Sequence, residues 1–401
     1  AVLAHVKNGR VIKIEGNPES PMSQGGLCAK GMAGIQALYH PNRNKYPMRR
    51  VGERGQNQWE RITWDEAITE IATKLIEIDE KYGSECVAVS TGGGGNPHFS
   101  NVKRFGEAIN TPNVWEPGCA QCYLPRMGAS QLSNGMGKPN NLSFSDSNGW
   151  DYYFTDSPVD SLVLWGTDPA NSSVATGGRA LAELRAREQG LKTVVIDPRM
   201  TMDAAKADVW LPIRPGTDAA LLMAWTKWII DNEKYDEDFC TNWTNMPYLV
   251  NPETRLTLKP TECGLEGTDA DYVIWDPAQG KPVVLEYPMN EGVTPPLFGT
   301  YEIDGKQYPT GGQLLKESVE EFTLAKAAEI CWLDEGQIEK ALEIYTTGQS
   351  GIMQGVCIDQ YVQSQQCALG ALNLEFLMGN VDTGVVRDDI RDEFKCCNVY
   401  A

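Results

Sequence analysis

The sequence has few of the features that place a chain in a common class by composition. No apolar run approaches the roughly 20 residues that a membrane-spanning helix needs, and no signal-peptide-like apolar segment is evident. Basic residues are in the minority, because 35 Lys and Arg stand against 54 Asp and Glu and leave a net charge of -19. That charge repels phosphate backbones and anionic lipid surfaces, so nucleic acid is not an expected partner.

Histidine is also scarce, and the cysteines lack a regular spacing. The three histidines include no closely spaced pair, which excludes a zinc site that joins a His pair to Cys119 and Cys122. The eleven cysteines show no disulfide framework, since only Cys119 and Cys122 and one adjacent pair near the carboxyl end lie close together. That usage is typical of a reduced or anaerobic setting.

The length of 401 residues suffices for two to three domains, each with its own core. The first part of the chain reads as short strands and turns, with a hairpin signal at Asn8 and Gly9. A capping box at Thr63 and Glu66, apolar residues at helical spacing and a stop at Gly83 predict one long helix. Strand and helix patterns then alternate, which predicts a parallel α/β sheet with right-handed crossovers.

Three loops follow predicted buried strands, at the edge where open α/β sheets bind ligands because helix amino termini offer free N–H groups there. They are the glycine run at 92–95, WGTDPANSS at 165–173 and RPGTDAALL at 214–222. Each is equally compatible with a structural role as a flexible turn or helix cap. Asp197 follows Gly166 by about 30 residues, which overshoots the usual nicotinamide dinucleotide fingerprint.

Two of these positions allow alternatives. In the third loop, Thr217 or Asp218 can cap the next helix, while a carboxylate there also suits the paired N–H donors of a guanine base. Cys119 and Cys122 have four interpretations: a zinc knuckle, a redox pair, two buried thiols, or a single thiolate ligand to a soft transition metal. The zinc and redox interpretations are the weakest, because no second ligand pair exists and prolines flank the motif.

Several stretches together resemble the molybdopterin oxidoreductase family, also called the dimethyl sulfoxide reductase family. GGLCAKG (25–31) is similar to the family segment that carries the last cysteine of a [4Fe-4S] cluster. Three longer stretches are similar to further family segments: NKYPMRRVGERGQNQWERITWDEAITEIA (44–72), VIDPRMTMDAAKADVWLPIRPGTDAAL (195–221) and GALNLEFLMGN (370–380). Members of this family bind molybdenum or tungsten through two pterin guanine dinucleotides, that is, as bis-molybdopterin guanine dinucleotide.

The resemblance implies roles for individual residues. Cys28 would bind the [4Fe-4S] cluster, and Lys30 would lie between the cluster and the pterin as a catalytic residue. QCYLP aligns Cys122 with the catalytic metal ligand and Pro125 with a proline behind it, which leaves Cys119 without a family role. One dinucleotide would be lined by Gly166, Thr167, Asp168, Asn171, Ser172, Asp197, Arg199, Gly216, Thr217 and Asp218.

The resemblance also implies a multi-domain fold with parallel, Rossmann-like α/β domains and a small β-rich N-terminal domain. The predicted domains are an iron-sulfur-proximal domain at 1–55, a discontinuous α/β domain from 56–118 plus 351–401, and a dinucleotide-binding α/β domain at 119–350. The last would carry an insertion at about 240–310. The other three cluster cysteines and the family's C-terminal barrel are absent from the sequence as given, and the tail at 385–401 matches no family segment. We therefore expect a piece of a longer protein.

The implied function is that of a molybdenum- or tungsten-dependent oxidoreductase. Tyr123 stands where formate dehydrogenases of the family have His, which disfavours formate, so we predict reduction of a small organic substrate with electrons from an iron-sulfur partner subunit. Trp115, Arg126 and His98, together with Tyr123, are candidates for substrate contact. The alternatives are a nonredox hydratase similar to acetylene hydratase and a noncatalytic truncated paralogue. The sequence does not decide between a location in the cytoplasm and export as a folded protein by a twin-arginine signal.

Overall fold

The chain divides into two compact units, one formed by residues 1–124 with 176–178 and the other by 125–175 with 179–401. The structure is a computed structural model, and it describes residues 2–20, 25–91, 97–116, 124–134, 160–172, 183–184, 186–286 and 289–380. No helix in these ranges combines the length and the apolar character that crossing a membrane would require.

In its described residues, the first unit contains short strand pairs and four α-helices. Its strands pair as two antiparallel hairpins, β1 (Val2–Lys7) with β2 (Arg10–Gly16) and β3 (Met48–Arg50) with β4 (Trp59–Arg61), and as one parallel pair, β5 (Val89–Ser90) with β6 (Val114–Trp115). The helices are α1 (Ala29–Met32), α2 (Gly34–Leu38), α3 (Trp64–Tyr82) and α4 (Pro97–Ala108). Asn8 and Gly9 both have positive φ in the two-residue turn, which confirms the predicted hairpin.

The capping of α3 follows the sequence signal closely. The Thr63 hydroxyl accepts a hydrogen bond from the Glu66 N–H at 3.2 Å, and the Glu66 carboxylate accepts one from the Thr63 N–H at 2.7 Å. This reciprocal pair satisfies two N–H groups that the first turn leaves free. At the other end, the Gly83 N–H donates to the Asp79 carbonyl at 2.9 Å. The predicted helix and both of its ends are confirmed.

A parallel sheet forms the centre of the second unit. Its strands are β7 (Ser161–Trp165), β8 (Lys192–Ile196), β9 (Val209–Leu211) and β14 (Ser350–Gln354), in the spatial order β14-β7-β8-β9. Every residue of β7 and of β14 is buried, as expected for parallel strands covered on both faces. The predicted parallel α/β sheet is confirmed.

The second unit also contains α-helices whose two ends lie in the described residues. They are α5 (Leu124–Asn134), α6 (Pro169–Ser172), α7 (Asp218–Asp231), α8 (Glu237–Trp243), α9 (Gly311–Val319), α10 (Leu324–Cys331), α11 (Glu335–Tyr345) and α12 (Ser364–Leu377). The larger core lies on the face that Trp165 shares with Trp225 of α7, and a smaller core on the opposite face includes Leu162 and Leu164. Each such apolar side chain contributes roughly 1.5–3 kcal/mol by leaving water.

Two antiparallel hairpins lie within the stretch that the sequence suggests as an insertion. They are β10 (Val273–Asp276) with β11 (Lys281–Val284) and β12 (Thr300–Ile303) with β13 (Lys306–Pro309). A small separate core that includes Leu249 and Tyr308 packs between them. The predicted domain ranges stay a prediction, although β14, which we grouped with 56–118, pairs with β7 of the second unit.

A buried carboxyl group on a helix forms a hydrogen bond with the edge strand of the sheet. Oε1 of Glu375, on α12, accepts a hydrogen bond from the Ile352 N–H of edge strand β14 at 2.7 Å, while its Oε2 has no partner among the described residues. Burial raises the pKa of Glu375 well above its usual range, and the bond from Ile352 opposes that shift only in part. The folded protein therefore holds Glu375 as the neutral acid.

Replacement of this acid with Gln should change how stability depends on pH. Between the unfolded and the raised folded pKa of Glu375, the folded state binds more protons, so the free energy of unfolding falls as pH rises, by up to about 1.4 kcal/mol per pH unit. Glu375→Gln keeps an acceptor for Ile352 and removes this contribution. Urea unfolding followed by tryptophan fluorescence over a pH series should show wild type losing stability relative to the variant with rising pH. A difference that stays constant with pH would contradict the prediction.

Candidate functional site

The carboxyl edge of the parallel sheet collects the loops after β7, β8, β9 and β14. The chain proceeds from β7 to β8 and β9 on one side, but β14 joins β7 on the other side. This reversal is a topological switch point, where open α/β sheets have their ligand crevice. Of the three loops suggested by the sequence, those after β7 and β9 lie at this edge, and the glycine run at 92–95 lies outside the described residues.

Two glycines bring backbone segments together at the switch point. Gly166 follows β7 with φ +61°, and a Cβ added there would collide with the Cys357 sulfur. Gly355 follows β14, and a Cβ there would collide with the Gly166 carbonyl and the Thr167 nitrogen. The Gly355 N–H donates to the Trp165 carbonyl at 2.8 Å. Neither position has space for a side chain, so the two main-chain segments lie against each other and form a glycine floor at the switch point.

Asp168, Asp197 and Arg199 form a charged group beside this floor. Arg199 lies 4.0 Å from Asp168 and 3.7 Å from Asp197, and its side chain is 73% exposed. Asp197 also accepts a hydrogen bond from the Arg199 N–H at 2.8 Å, and Asp168 accepts bonds from the Asn171 amide at 3.1 and 3.3 Å. The structure thus brings four of the predicted site residues together and leaves the guanidinium free to meet an anion.

Asp218 occupies a buried position at the start of α7. Its Oδ1 accepts a hydrogen bond from the Trp165 indole N–H at 2.8 Å. Burial raises the pKa of Asp218, and the bond from Trp165 opposes the rise. Thr217 is the N-cap residue of α7 but makes no capping bond with its side chain, because its hydroxyl donates to the Arg214 carbonyl. The Thr217 side chain therefore does not cap α7.

Cys357 lies at the same edge, although no motif or spacing in the sequence points to it. It lies in the 3-10 turn Val356–Gln360 that follows β14, with its sulfur against Gly166. Burial, reinforced by the charges of Asp218 and Asp197, raises the pKa of Cys357 to about 12. The thiol is therefore protonated at neutral pH and is a packing group rather than a nucleophile. A glycine directly after a buried strand is the signal that could have drawn attention to this turn.

A buried ion pair joins the start of α5 to this turn. The Arg126 Nε donates to Asp359 at 2.6 Å, its backbone N–H donates to the other oxygen at 3.2 Å, and its guanidinium donates to the Gln354 carbonyl at 3.1 Å. The side chains are only 5% and 0% exposed. The expectation that Arg126 contacts a substrate is therefore wrong, because burial and Asp359 occupy its guanidinium.

Cys28 and Lys30 lie in the first unit, at the start of α1. Cys28 is the N-cap residue and is exposed. Hydrogen bonds from the backbone N–H groups of Gly31 and, more weakly, Lys30 lower the pKa of the Cys28 thiol. A thiolate stabilised by N–H donors is a suitable ligand for an iron-sulfur cluster. Among the described residues, however, no group of three or more His, Cys, Asp or Glu side chains is arranged to hold a metal.

The remaining predicted residues can be placed only in part. Gly216 and Thr217 lie in the turn before α7, and Thr167 follows Gly166, so all three lie at the same edge as Asp218. Ser172 is the last residue of α6, and its side chain is outside the described part of the chain. Cys119, Cys122 and Tyr123 are also outside it, as is the side chain of His98.

The donor set at the sheet edge fits a nucleotide. Carboxylates of Asp168, Asp197 and Asp218 can accept hydrogen bonds from base N–H and ribose hydroxyl groups, while Arg199 offers a cation to a phosphate. The glycine floor allows such a ligand to approach the main chain closely. These side chains are of the kinds that a nucleotide ligand contacts, and they lie at the edge of the sheet where open α/β folds bind ligands.

Comparison with known families covers nearly the whole chain. The sequence model described as molybdopterin oxidoreductase matches residues 43–386, and the model described as molybdopterin oxidoreductase Fe4S4 domain matches residues 1–40. The second match includes Cys28 and Lys30, and the first includes every predicted residue at the sheet edge.

Individual relatives are similar over much of this chain but are considerably longer. Dopamine dehydroxylase of Eggerthella lenta is 32% identical over 301 residues, 74% of this chain and 27% of its own length. Acetylene hydratase of Syntrophotalea acetylenica is 28% identical over 384 residues, 94% of this chain and 41% of its own. The solved structure of acetylene hydratase from Pelobacter acetylenicus has a TM-score of 0.65 at 25% identity, covering 96% of this chain and 42% of that one. The chain thus spans less than half the length of these relatives.

Loss of Arg126 should destabilise the second unit strongly. Arg126→Ala leaves the Asp359 carboxylate buried without its guanidinium, which costs about 3–5 kcal/mol. Arg199→Ala is the matched control, because it removes an exposed guanidinium with only long contacts and should cost less than about 1 kcal/mol. Urea unfolding curves of the two variants measure the difference. Equal destabilisation by both substitutions would contradict a structural role for the buried pair.

Cys28 should also react faster with an alkylating agent than Cys86 does. Both thiols are exposed, but the Cys28 sulfur accepts backbone N–H bonds that lower the pKa of its thiol, whereas the Cys86 sulfur donates a hydrogen bond to the Tyr82 carbonyl at 3.3 Å. Because the thiolate is the reactive form, brief iodoacetamide treatment below neutral pH should label Cys28 first. Peptide mass spectrometry reads both positions in one sample, and preferential labelling of Cys86 would contradict the assignment.

Proposed function

The chain belongs to the molybdopterin oxidoreductase family, and from that premise we propose that it forms the part of a longer enzyme that binds one pterin guanine dinucleotide and supplies a thiolate to the metal. The observation that carries the proposal is the convergence of Asp168, Asp197, Arg199 and Asp218 beside a glycine floor at the switch point. Acceptors for a base, acceptors for a sugar and a cation for phosphate are the groups that a guanine dinucleotide needs.

Each residue at the edge has a distinct role in this proposal. Asp218 accepts hydrogen bonds from the guanine N–H groups, and Asp197 accepts from the ribose hydroxyls. Arg199 neutralises phosphate charge, and the backbone around Gly166 and Thr167 lies against the ligand. Asn171 holds the Asp168 carboxylate through its amide. Ser172 and Gly216 complete the set by position in the family.

The metal ligand in this proposal is Cys122, with Pro125 behind it, by its match to the family motif. Cys28 binds the [4Fe-4S] cluster, whose other three cysteines are not in this sequence. Lys30 lies two residues from that ligand and would carry positive charge between the cluster and the pterin. When bound, molybdenum or tungsten supplies two-electron redox chemistry, and the cluster supplies one-electron transfer.

The proposed reaction is reduction of a small organic substrate, with electrons delivered by an iron-sulfur partner subunit. Dopamine dehydroxylase among the relatives favours a reductive reaction. A second candidate is a nonredox hydratase, which the 94% coverage of this chain by an acetylene hydratase favours. Electron transfer to or from an artificial dye distinguishes the two, since a hydratase would turn over its substrate without it.

Metal analysis of the full-length native protein tests the proposal. We expect about one equivalent of molybdenum plus tungsten per chain, and GMP released by acid hydrolysis of the bound cofactor. Cys122→Ala should remove the metal-bound cysteine sulfur from the X-ray absorption spectrum and abolish turnover. Cys119→Ala is the matched control, three residues away, and should retain both. A native protein without either metal would support the truncated, noncatalytic alternative, and equal loss in the two variants would refute the choice of ligand.

A further inference from the structure

Two buried tryptophans in the second unit differ in what their indole N–H groups do. Trp165, the last residue of β7, donates its N–H to Asp218 Oδ1 at 2.8 Å. Trp225, on α7, packs edge-on against Trp165 with ring centroids 5.6 Å apart, but its N–H has no partner among the described residues. Both side chains are completely buried. The two residues therefore share a core and differ in one hydrogen bond.

The surroundings of Asp218 otherwise favour the neutral acid. Its ionisable neighbours on the packed elements are Cys331 of α10, Cys357 and Tyr361 after β14, and Cys367 of α12. None of these is a cation. Farther along the same edge, Asp197, Arg126 and Asp359 face Cys357. Among the described residues, Trp165 is thus the one side chain that stabilises the Asp218 carboxylate by a direct contact.

The second oxygen of Asp218 is free of side-chain partners. Oδ1 accepts from Trp165, and the carboxylate also interacts with the backbone N–H of Asp218 itself, while Oδ2 makes no hydrogen bond to another side chain in the described part of the protein. The indole is held from three sides, because Trp165 ends a strand bonded to two neighbours and its ring packs on Trp225. A rigid donor on one oxygen fixes the direction in which the other oxygen accepts.

We propose that Trp165 is a positioning residue for base recognition, holding the Asp218 carboxylate ionised and oriented so that its free oxygen accepts N–H donors of the guanine base. This inference rests on the proposed function, because it concerns the same dinucleotide site. It adds one requirement to the proposed contact between Asp218 and the base. Asp218 must be charged in a buried place, and the strand residue Trp165 meets that requirement.

The consequence is a pH-dependent affinity for guanine nucleotides. Asp218 accepts two base N–H groups well only as the carboxylate, so affinity should increase as pH rises through the pKa of Asp218. Trp165→Phe keeps an aromatic ring but removes the donor to the charged form. The midpoint of the affinity change should then move up by roughly one pH unit, the size expected for a hydrogen bond to a charged group.

The experiment uses GDP as the probe and the full-length protein isolated without its cofactor. Isothermal titration calorimetry across the acidic to neutral range gives the affinity and its midpoint for wild type, Trp165→Phe and Trp225→Phe. Trp225→Phe is the matched control, because it removes an equally buried indole N–H that has no acceptor among the described residues. We expect its midpoint to match wild type and the midpoint of Trp165→Phe to be higher. Inosine diphosphate, which lacks the exocyclic amine of guanine, should bind more weakly to wild type.

A further variant and the binding of GDP by wild type distinguish failure of the inference from failure of the proposed function. Asp218→Asn should abolish both the pH transition and the preference for GDP over inosine diphosphate, and it keeps the inference testable if Trp165→Phe fails to fold. Equal midpoints in the two tryptophan variants, or an unchanged transition in Asp218→Asn, would overturn the inference while leaving the proposed function intact. If wild type neither binds GDP nor releases GMP from the native holoprotein, the proposed guanine site itself is wrong.

Discussion

Parallel pairing of β14 with β7 is the constraint on which the second unit depends. β7 is bonded on both sides, to β14 and to β8, and all of its residues are buried. The loops after β7 and β14 consequently leave the sheet at its switch point and must diverge there. Their first residues, Gly166 and Gly355, approach so closely that neither could carry a side chain. The glycine floor, the charged group beside it and the position of the buried Asp218 all depend on this one pairing.

The aspartates near the switch point have three different kinds of partner. The kind of partner distinguishes an aspartate that stabilises the fold from those that could contact a ligand. Asp359 is enclosed by the Arg126 guanidinium and backbone N–H, so its charge is used within the fold. Asp168 and Asp197 share an arginine that is mostly exposed, which leaves their charges open to a ligand. Asp218 has no cation beside it in the described chain, and its carboxylate is stabilised by two neutral donors, the Trp165 indole and its own backbone N–H. A buried carboxylate with only neutral donors is costly unless a ligand adds further donors.

Local signals in the sequence predicted local structure well. The turn at Asn8 and Gly9 and the capping box at Thr63 and Glu66 involve residues within a few positions of one another, so the backbone has little choice once those residues are present. The strands of the parallel sheet were recognisable as continuous apolar runs, because burial on both faces removes the alternation. Motif similarity then predicted that the loop residues share one edge, and the structure has Arg199 within 4.0 Å of Asp168 and 3.7 Å of Asp197.

The sequence by itself determined the family and the loops of the candidate site, because linear motifs identify them. It also determined the pattern of helices and strands, because that pattern depends on the short-range spacing of apolar and capping residues. Tertiary structure alone decided the long-range contacts. Arg126 meets Asp359 across 233 positions, and Trp165 meets Asp218 across 53. No local pattern encodes such pairs, since they arise only when the order of strands brings distant loops to one edge. For that reason the sequence suggests Arg126 as a substrate contact, and it does not point to Trp165 or Cys357 as part of the candidate site.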